Sequence, residues 1–512
     1  MKKPFYITTP IYYPNNVPHI GSVYTTVCCD VIARFKRLEG YDVKFLTGTD
    51  EHGQKVEEAA KAAQKNPQDF VDAISENFKK ILPAYDITND DFIRTTEERH
   101  KKGAQAFWNT LVESGDIYQD NYAGWYSVRD ESFFTESELV DGKAPTGAPV
   151  IWVEEPSYFF RLSKWEKPLL QFYEENPKFI EPESRRNEVI SFVKQGLKDL
   201  SISRTTFKWG IPVPHDDKHI MYVWIDALTN YITALGYPDV GKKDYQDFWP
   251  ANLHVVGKDI LRFHAIFWPA FLMAAKIPLP KRVFAHGWWT VEGQKMSKSL
   301  GNVVDPFDLV DRFSSDIVRY FLVTGMSFGS DGDFSEKALV QKANTNLSNE
   351  LGNLAQRTLS MAYKNCDGKI PVLSHPFVSE DQSLLIQAQN ILAQSQEYME
   401  SQELHKYVEA LWSVVWAANK YVDEQAPWTL KKTDIERMNV VLYTLMETLR
   451  YIGIMAQPLI PEASKNLLDM LQVPDDQRTF DHLKSAFALE QGTSIDAPSP
   501  LFPRIEEATH AG

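Results

Sequence analysis

Two lysines three positions apart, set among small hydroxyl side chains, form the most chemically informative segment of the chain. The segment Lys295–Ser299 reads Lys-Met-Ser-Lys-Ser, and Gly293 and Gly301 lie on either side of it. Glycine and serine favour a loop. Two ammonium groups beside hydroxyl donors suit a triphosphate whose charge moves during a reaction. Most lysine pairs at this spacing are solvated turns, but the complete pentapeptide predicts nucleotide chemistry.

A second motif lies near the start of the chain, where the first helix is expected to begin. His19-Ile20-Gly21-Ser22 follows a strand-like segment and a proline-bounded loop. A helix N-terminus offers free N–H groups and the positive end of the helix dipole, so it can bind a phosphate. A glycine there allows a nucleotide to approach the backbone closely. By itself this short motif is a weak signal, and a histidine that caps the helix is the simpler alternative.

The elements around this motif predict a βαβ unit. Phe5–Thr9 has the composition of a buried strand, and apolar residues then recur every three or four positions from Ile20 to Leu38, which is helical spacing. Gly40 ends that helix, and Asp42–Thr47 is a second strand. Such a unit implies a parallel sheet, in which ligands bind beyond the carboxyl ends of the strands. The sequence therefore predicts an α/β fold with its site at that edge.

The texture of the chain changes several times after this unit. Residues 116–205 mix aromatic, charged and turn residues, which is typical of an inserted antiparallel module. We expect Met221–Ile225 and Leu253–Gly257 to belong to the second half of the sheet. Beyond about residue 340 the pattern is helical. The predicted domains are 1–115 and 206–280 for the two sheet halves, 116–205 for the insertion, 281–340 for a module with the lysine loop, and 341–512 for a helical bundle.

Composition narrows the possible function classes. A chain of 512 residues with 43% hydrophobic and 24% charged residues is ordinary for a globular protein. No apolar run reaches membrane-spanning length, and Met1–Pro4 leads directly into a strand instead of a signal peptide. The three cysteines form no C-x-x-C pair, so we expect neither a disulfide framework nor a thiolate zinc site. A reducing cytoplasm is the location that fits this cysteine content best. A net charge of −15 argues against wholesale coating of nucleic acid but leaves room for a local basic groove.

Several further blocks, taken in order with the two motifs, resemble the methionyl-tRNA synthetases, a family of class I aminoacyl-tRNA synthetases. The resemblance covers nearly the full chain. The blocks are Pro10–Asn15, His19–Gly21, Gly48–Gly53, Tyr222–Ala227, Gly257–Ile260, Phe263–His264, Lys295–Ser299 and Asp423–Trp428.

The resemblance implies a split Rossmann-type catalytic domain with an inserted connective module, a stem-contact module carrying the lysine loop, and an all-α bundle that binds the anticodon. It implies that ATP, as its Mg²⁺ complex, and L-methionine form methionyl-adenylate and pyrophosphate. Methionine is then transferred to the 3′-terminal ribose of tRNA(Met), both initiator and elongator. The implied catalytic residues are Lys298, Lys295 and His19. The implied ATP-binding residues are His19, Gly21, Ser22, Gly257, Asp259, Lys295 and Lys298.

The family's methionine pocket corresponds to Ile11, Asp50, Trp224, Ala227, Tyr231 and His264. The chemistry of these residues fits that role independently. Asp50 can pair with an ammonium group, and aromatic rings favour contact with sulfur by about 0.3–1.5 kcal/mol. Without the resemblance, Trp224, Tyr231 and His264 would be better explained as core residues. Asp50-Glu51-His52 could suggest a metal site, but nothing nearby in the sequence completes a ligand set.

In the helical part, the resemblance assigns Asn353, Arg357 and Trp428 to reading the anticodon. Asn353 and Arg357 are four residues apart and share a helix face. Trp428 follows Pro427 in an expected loop and could stack on a base. A Trp428 that packs the bundle and an Arg357 that pairs with a carboxylate are the simpler alternatives.

The sequence departs from the family pattern at two places. Ser22 stands where many members have histidine, so its contact with ATP has uncertain weight. The insertion has no cysteine where relatives carry a zinc knuckle, so we expect no structural zinc. The chain stops soon after the bundle, without the domain that dimerises some relatives, which predicts a monomer. Two other hypotheses stay open: a catalytically inactive tRNA-binding relative, and a class I synthetase for another amino acid.

Overall fold

The computed structural model describes residues 2–14, 18–129, 132–134, 136–291, 293–295 and 303–506. The strands of this part of the chain are β1 Pro4–Thr8, β2 Asp42–Thr49, β3 Asp91–Arg94, β4 Ile117–Ser127, β5 Ser132–Phe134, β6 Ile151–Phe160, β7 Ile180–Glu181, β8 Leu200–Ser201, β9 Ser203–Arg204, β10 Pro212–Val213, β11 Asp216–Met221, β12 Leu253–Gly257, β13 Val283–His286, β14 Trp289–Val291, β15 Gln294–Lys295 and β16 Gly332–Phe334.

The α-helices are α1 Ile20–Leu38, α2 Gln54–Ala62, α3 Pro67–Ala84, α4 Glu98–Glu113, α5 Glu166–Glu175, α6 Glu183–Lys194, α7 Val223–Leu228, α8 Asn230–Thr233, α9 Lys243–Phe248, α10 Trp268–Ala274, α11 Pro306–Phe313, α12 Ser315–Thr324, α13 Glu336–Lys342, α14 Asn353–Asn365, α15 Ser379–Glu400, α16 Leu404–Gln425, α17 Pro427–Thr433, α18 Ile435–Ala456 and α19 Pro461–Met470.

A parallel sheet of six strands, in the order β3-β2-β1-β12-β13-β7, forms the centre of the catalytic part. Successive side chains of a strand point to opposite faces. Ile7 accordingly joins the apolar core around α1, whereas Tyr6 joins a second core around α4 and α10. Helices cover both faces, which confirms the predicted Rossmann-type fold.

The predicted βαβ unit is present, and its helix has the expected bounds. α1 spans Ile20–Leu38 and is followed by Gly40 at a φ of 88°, a backbone conformation that glycine adopts without steric cost. The sheet pairs β1 with β2 in parallel register, with Phe5 opposite Val43.

The inserted module is antiparallel, as expected. β4 pairs with β6 over ten residue pairs, from Ile117 opposite Phe160 to Tyr126 opposite Ile151. The range 116–205 is nevertheless not a single module. β7 pairs with β13, with Ile180 opposite Val283, and so forms the edge of the catalytic sheet. A strand of two residues carries too little periodicity to be recognised in the sequence.

Two expectations for the second half of the sheet are corrected. Leu253–Gly257 is β12 of the central sheet, but Met221 ends β11 in a separate three-stranded sheet, and Val223–Leu228 is helical. β13 at Val283–His286 also belongs to the central sheet, so this half continues past the predicted boundary at 280.

The part beyond residue 340 is helical, as predicted. Its core is continuous with the α1 side of the catalytic sheet. Phe35 of α1 lies with its ring centroid 5.6 Å from that of Tyr407 and 4.8 Å from that of Phe480. The bundle and the catalytic sheet therefore share one apolar interior.

Candidate active site

The candidate site lies at one edge of the central sheet. β1, β2, β12 and β13 are parallel, so their carboxyl ends meet there. The backbone binds the first two ends together, because Tyr12 N–H donates to Gly48 O at 2.9 Å and Asp50 N–H donates to Tyr12 O at 2.9 Å. Ile11 and Asp50 are thus held side by side.

His19 caps α1 from the residue before its first turn. Its Nδ1 accepts a hydrogen bond from Gly21 N–H at 3.1 Å, which leaves the ring proton of a neutral imidazole on Nε2. Partial loss of hydration lowers the pKa of His19, and the charge of Asp259 opposes this shift. A Cβ atom on Gly21 would lie 2.9 Å from His19 Cε1, so the glycine makes room for the ring itself.

Ser22 completes a reciprocal cap. Its hydroxyl donates to His19 O at 2.7 Å and accepts from His19 N–H at 3.3 Å. The residue is 7% exposed. The hydroxyl therefore fixes the backbone of His19. Its contact with ATP stays a prediction, because both hydrogen bonds of the hydroxyl in this structure are made to His19.

Gly257 and Asp259 lie where β12 ends. A Cβ atom on Gly257 would be 2.5 Å from Asp259 Oδ1, so a larger residue there would displace the Asp259 carboxylate. Asp259 accepts a hydrogen bond from Trp288 Nε1 at 3.1 Å. Lys258 in turn donates to both oxygens of Asp331, at 2.8 and 2.7 Å. Sequence reasoning missed Trp288, although its position just beyond β13 places it at the ligand-binding edge.

The lysine loop starts from the β14–β15 hairpin, in which Thr290 is opposite Lys295. Asp333 of β16 anchors this hairpin by accepting from Thr290 Oγ1 at 2.6 Å and from Gly293 N–H at 2.8 Å. Lys298 and the rest of 296–302 lie outside the described residues, as does the side chain of Lys295.

Three of the predicted methionine-pocket residues are in contact. Tyr231 O–H donates to His264 Nε2 at 2.7 Å, and His264 Nδ1–H donates to Ile260 O at 3.0 Å. Trp224 lies edge-on to His264, with ring centroids 6.4 Å apart. Burial lowers the pKa of His264 to about 4, against the Ile260 carbonyl and the Asp259 charge. The wall is thus aromatic and uncharged at neutral pH.

The remaining pocket residues fit around this wall. Ala227 is 4% exposed, one turn after Trp224 on α7. Asp50 is 7% exposed. Phe263, which was not predicted to be a pocket residue, stacks on Trp224 with ring centroids 3.5 Å apart and planes 9° apart. Its adjacency to His264 was the available signal.

The side chains that follow Asp50 point away from a common metal position. Glu51 is fully buried and accepts from Arg94 Nε at 2.7 Å and Nη2 at 2.9 Å. His52 donates to Asp226. Among the described residues, no group of three or more histidine, cysteine or acidic side chains could hold a metal ion.

In the bundle, the structure brings Arg357 and Trp428 together. The guanidinium carbon lies 5.4 Å from the centre of the indole ring, which is 44% exposed, and Arg357 Nη2 also pairs with Asp423 at 2.7 Å. Asn353 is exposed one turn earlier on α14. Trp428 lies in the first turn of α17, not in a loop, because Pro427 suits the first position of a helix.

A cavity of about 280 Å³ lies beside this pair. It is open to solvent and lined by Gln356, Arg357, Thr358, Ser360, Met361, Val422, Pro427, Trp428 and Leu442. Elsewhere in the chain, none of the helices in the described ranges is long and apolar enough to cross a membrane.

Comparisons with known proteins agree over the whole chain. The family profile described as tRNA synthetases class I (M) matches residues 5–150 and 146–359, and that of the anticodon binding domain of methionyl tRNA ligase matches residues 373–512. Relatives named methionine–tRNA ligase include one from Rickettsia felis, 58% identical over 99% of both chains, and one from Brucella suis, 54% identical over 99% of both chains.

Solved structures give the same result. The Mycobacterium tuberculosis methionyl-tRNA synthetase in complex with methionyl-adenylate superposes with a TM-score of 0.96, at 49% identity over 98% of this chain and 100% of that one. The apo form of that enzyme gives a TM-score of 0.89 at 46% identity, over 99% of both chains. These matches and the geometry of the site agree: the chain belongs to the methionyl-tRNA synthetase family of class I tRNA synthetases.

Proposed function

We propose that the protein activates L-methionine with ATP and transfers it to tRNA(Met), both initiator and elongator. The observation that carries this proposal is the placement of a buried carboxylate, Asp50, at the same sheet edge as an uncharged aromatic wall and the His19-capped end of α1. The ammonium group of an apolar amino acid can pair with Asp50, and its side chain can pack on the aromatic wall. Its carboxylate can then reach a nucleotide bound at the end of α1. Membership of the family supports the same assignment.

Methionine is recognised by two kinds of contact. Asp50 pairs with its ammonium group. Ile11, Trp224, Ala227 and Tyr231 surround the thioether, for which aromatic contacts are favourable. Because His264 is neutral, no cation in this wall competes with the ammonium group for Asp50.

ATP, as its Mg²⁺ complex, binds across the carboxyl ends of the strands. Gly257 and Asp259 hold the ribose, whereas His19 Nε2–H and the Gly21 N-terminal turn face the phosphates. Lys295 and Lys298 act on the charge that develops on the phosphates, and Ser22 acts through His19. A donor of this kind typically contributes about 10²–10³ in rate.

The first reaction step needs no general base, because the methionine carboxylate is already ionised. One of its oxygens attacks the α-phosphorus, the bond to the oxygen bridging the α- and β-phosphorus breaks, and pyrophosphate leaves with that electron pair. Alignment and charge stabilisation therefore supply the catalysis. In the second step the 2′-hydroxyl oxygen of the terminal ribose attacks the methionyl carbonyl carbon. The anhydride C–O bond breaks, AMP leaves with that electron pair, and the hydroxyl proton is released.

The tRNA anticodon binds at Asn353, Arg357 and Trp428. The exposed indole offers a face for base stacking, which contributes about 1–3 kcal/mol per base. Arg357 and Asn353 present donors beside it, and unstacked bases are read at their edges by such groups. The open cavity next to Trp428 leaves room for an extruded base.

The insertion requires no thiolate zinc in this proposal, because the β4–β6 ladder holds it together and the three cysteines lie elsewhere in the chain. Cys28 and Cys29 are free and buried in α1, which supports a reducing cytoplasm. We propose a monomer, which light scattering of the purified protein tests.

Amino-acid-dependent ATP–pyrophosphate exchange, measured separately with each of the twenty amino acids, tests the activity. Methionine should give exchange at least about a hundredfold above the others. Exchange that depends on another amino acid would identify a different synthetase. Complete absence of exchange together with tRNA binding would identify an inactive relative.

A further inference from the structure

A buried carboxylate behind the methionine pocket joins three separate elements. Asp226 Oδ2 accepts from His52 Nδ1 at 2.6 Å, and Asp226 Oδ1 accepts from His100 Nε2 at 2.7 Å. Asp226 and His100 are 0% exposed and His52 is 4% exposed. The hydroxyl of Thr233 lies 2.9 Å from the other ring nitrogen of His100.

Two of the three elements carry residues of the pocket. His52 belongs to the loop after β2 that carries Asp50. Asp226 is on α7 between Trp224 and Ala227. His100 is on α4, which contacts α8, the short helix that carries Tyr231. The Asp226 carboxylate therefore links the part of the chain that binds the ammonium group to the part that surrounds the thioether.

We propose that Asp226 is a positioning residue that sets the distance between the ammonium site at Asp50 and the thioether site at Trp224 and Ala227. This inference rests on the proposed methionine activation. It goes beyond it, because Asp226 touches neither substrate and was not among the residues assigned to the pocket.

The chemistry of the cluster favours a fixed geometry. A carboxylate only accepts hydrogen bonds, so each imidazole nitrogen that faces Asp226 is a donor. Burial opposes the ionisation of Asp226, but His52 and His100 together hold its pKa below the usual value. An ionised, buried carboxylate is costly unless both oxygens stay hydrogen-bonded, so moving either the His52 loop or α7 would break a charge-assisted bond.

Contacts with Trp209 also hold the His52 loop in place. Trp209 Nε1 donates to Glu51 O at 2.6 Å, and Gly53 N–H donates to Trp209 O at 3.0 Å. The indole of Trp209 lies edge-on to His52, with ring centroids 5.5 Å apart. Asp226 thus connects this loop to α7.

The test is the exchange reaction with Asp226→Asn, which keeps the shape but loses one acceptor and the charge. The KM for methionine should rise at least about tenfold, whereas the KM for ATP should stay within about twofold. 4-(Methylthio)butanoate has the thioether but no ammonium group. Its inhibition constant should differ by no more than about twofold between the wild-type protein and Asp226→Asn, because the compound occupies the thioether site alone.

Two further variants separate positioning from general stability. Asp316→Asn removes another buried carboxylate, which accepts from Ala463 N–H at 2.6 Å far from the pocket, and should leave the KM for methionine unchanged. Thr233→Val loosens His100 with little change of volume and should raise the KM for methionine about threefold. This milder variant keeps the test decisive if Asp226→Asn does not fold.

The outcomes are distinguishable. If the wild-type protein lacks methionine-dependent exchange, the proposed function fails and the role of Asp226 with it. If the wild-type protein is active but the variants raise the two KM values equally, or lower only the melting temperature, the positioning role alone is overturned.

Discussion

Arg319 lies 2.8 Å from the Asp30 carboxylate, and both side chains are fully buried. Asp30 is on α1, the helix that His19 caps, and Arg319 is on α12. The same guanidinium donates to Pro458 O at 2.7 Å and Leu459 O at 3.2 Å, just after α18 of the bundle. One side chain thus connects the catalytic helix, the module after the lysine loop and the bundle.

Arg319→Met should lower the free energy of unfolding at pH 7 by about 3 kcal/mol, because it leaves Asp30 buried with Arg34 as its remaining charged partner. Urea denaturation measures this loss. Arg312→Met is a matched control, since Arg312 is 44% exposed in its pairs with Asp308 and Glu336 and should lose less than about 1 kcal/mol. Equal losses in the two variants would contradict the importance of the buried pair.

Lys298→Ala should slow methionine-dependent pyrophosphate exchange at least about tenfold while methionine still binds, because a donor to the developing phosphate charge is removed. Exchange kinetics and equilibrium binding of methionine measure the two effects. Lys337→Ala, at an exposed position of α13, should keep the wild-type rate. An unchanged rate for Lys298→Ala would remove this residue from the mechanism.

Trp428→Ala should weaken charging of full-length tRNA(Met) at least about fivefold and leave adenylate formation intact, because it removes a stacking face and no contact with ATP. The two reactions are measured in separate assays. Trp416→Ala in the same bundle is the control, because that indole is 49% exposed and is not among the residues that line the cavity beside Trp428. A parallel loss of both activities would show that Trp428 supports the core instead.

His264→Asn should change the pH dependence of stability. The pKa of this histidine is about 4 in the folded protein, through burial, and about 6.5 when unfolded. Between these values the unfolded chain binds more protons, so the stability is complete above pH 6.5 and is lost as the pH falls towards 4.

Between pH 7 and pH 5 the free energy of unfolding of the wild-type protein should therefore fall by about 2 kcal/mol more than that of the variant, as measured by urea denaturation. His286, whose burial also lowers its pKa, remains in both proteins and cancels in the difference. His254 remains as well, and burial, a larger cause than the charge of His264, keeps its pKa lowered in both. Identical slopes for His264→Asn would mean that this ring is not held neutral by the fold.

Metal analysis of the purified protein should find less than about 0.1 equivalent of zinc, because the insertion offers no thiolates. One equivalent that resists dialysis against a chelator would refute this prediction. Unfolding of the β4–β6 module when a chelator is added, as detected by limited proteolysis, would refute it independently.

Local patterns predicted the parts of the fold that depend on neighbours in sequence. α1 has the bounds that its apolar spacing predicts, and the capping position of His19 follows from the adjacent strand and loop. The pairing of β7 with β13 joins Ile180 to Val283, residues with no shared pattern, and was not predictable. The same holds for Asp226, whose partners His52 and His100 come from two distant segments. The one sequence signal was an acidic residue in an otherwise apolar helical turn.

The apolar interior that runs from α1 into the bundle has a consequence for how the chain denatures. Phe35 packs on both Tyr407 and Phe480, so neither half can open without exposing aromatic surface of the other. Heating should therefore produce a single cooperative transition in calorimetry. A fragment ending near residue 340 should aggregate, because its α1 face would lack a covering layer. We expect the catalytic half and the bundle to unfold together as one unit.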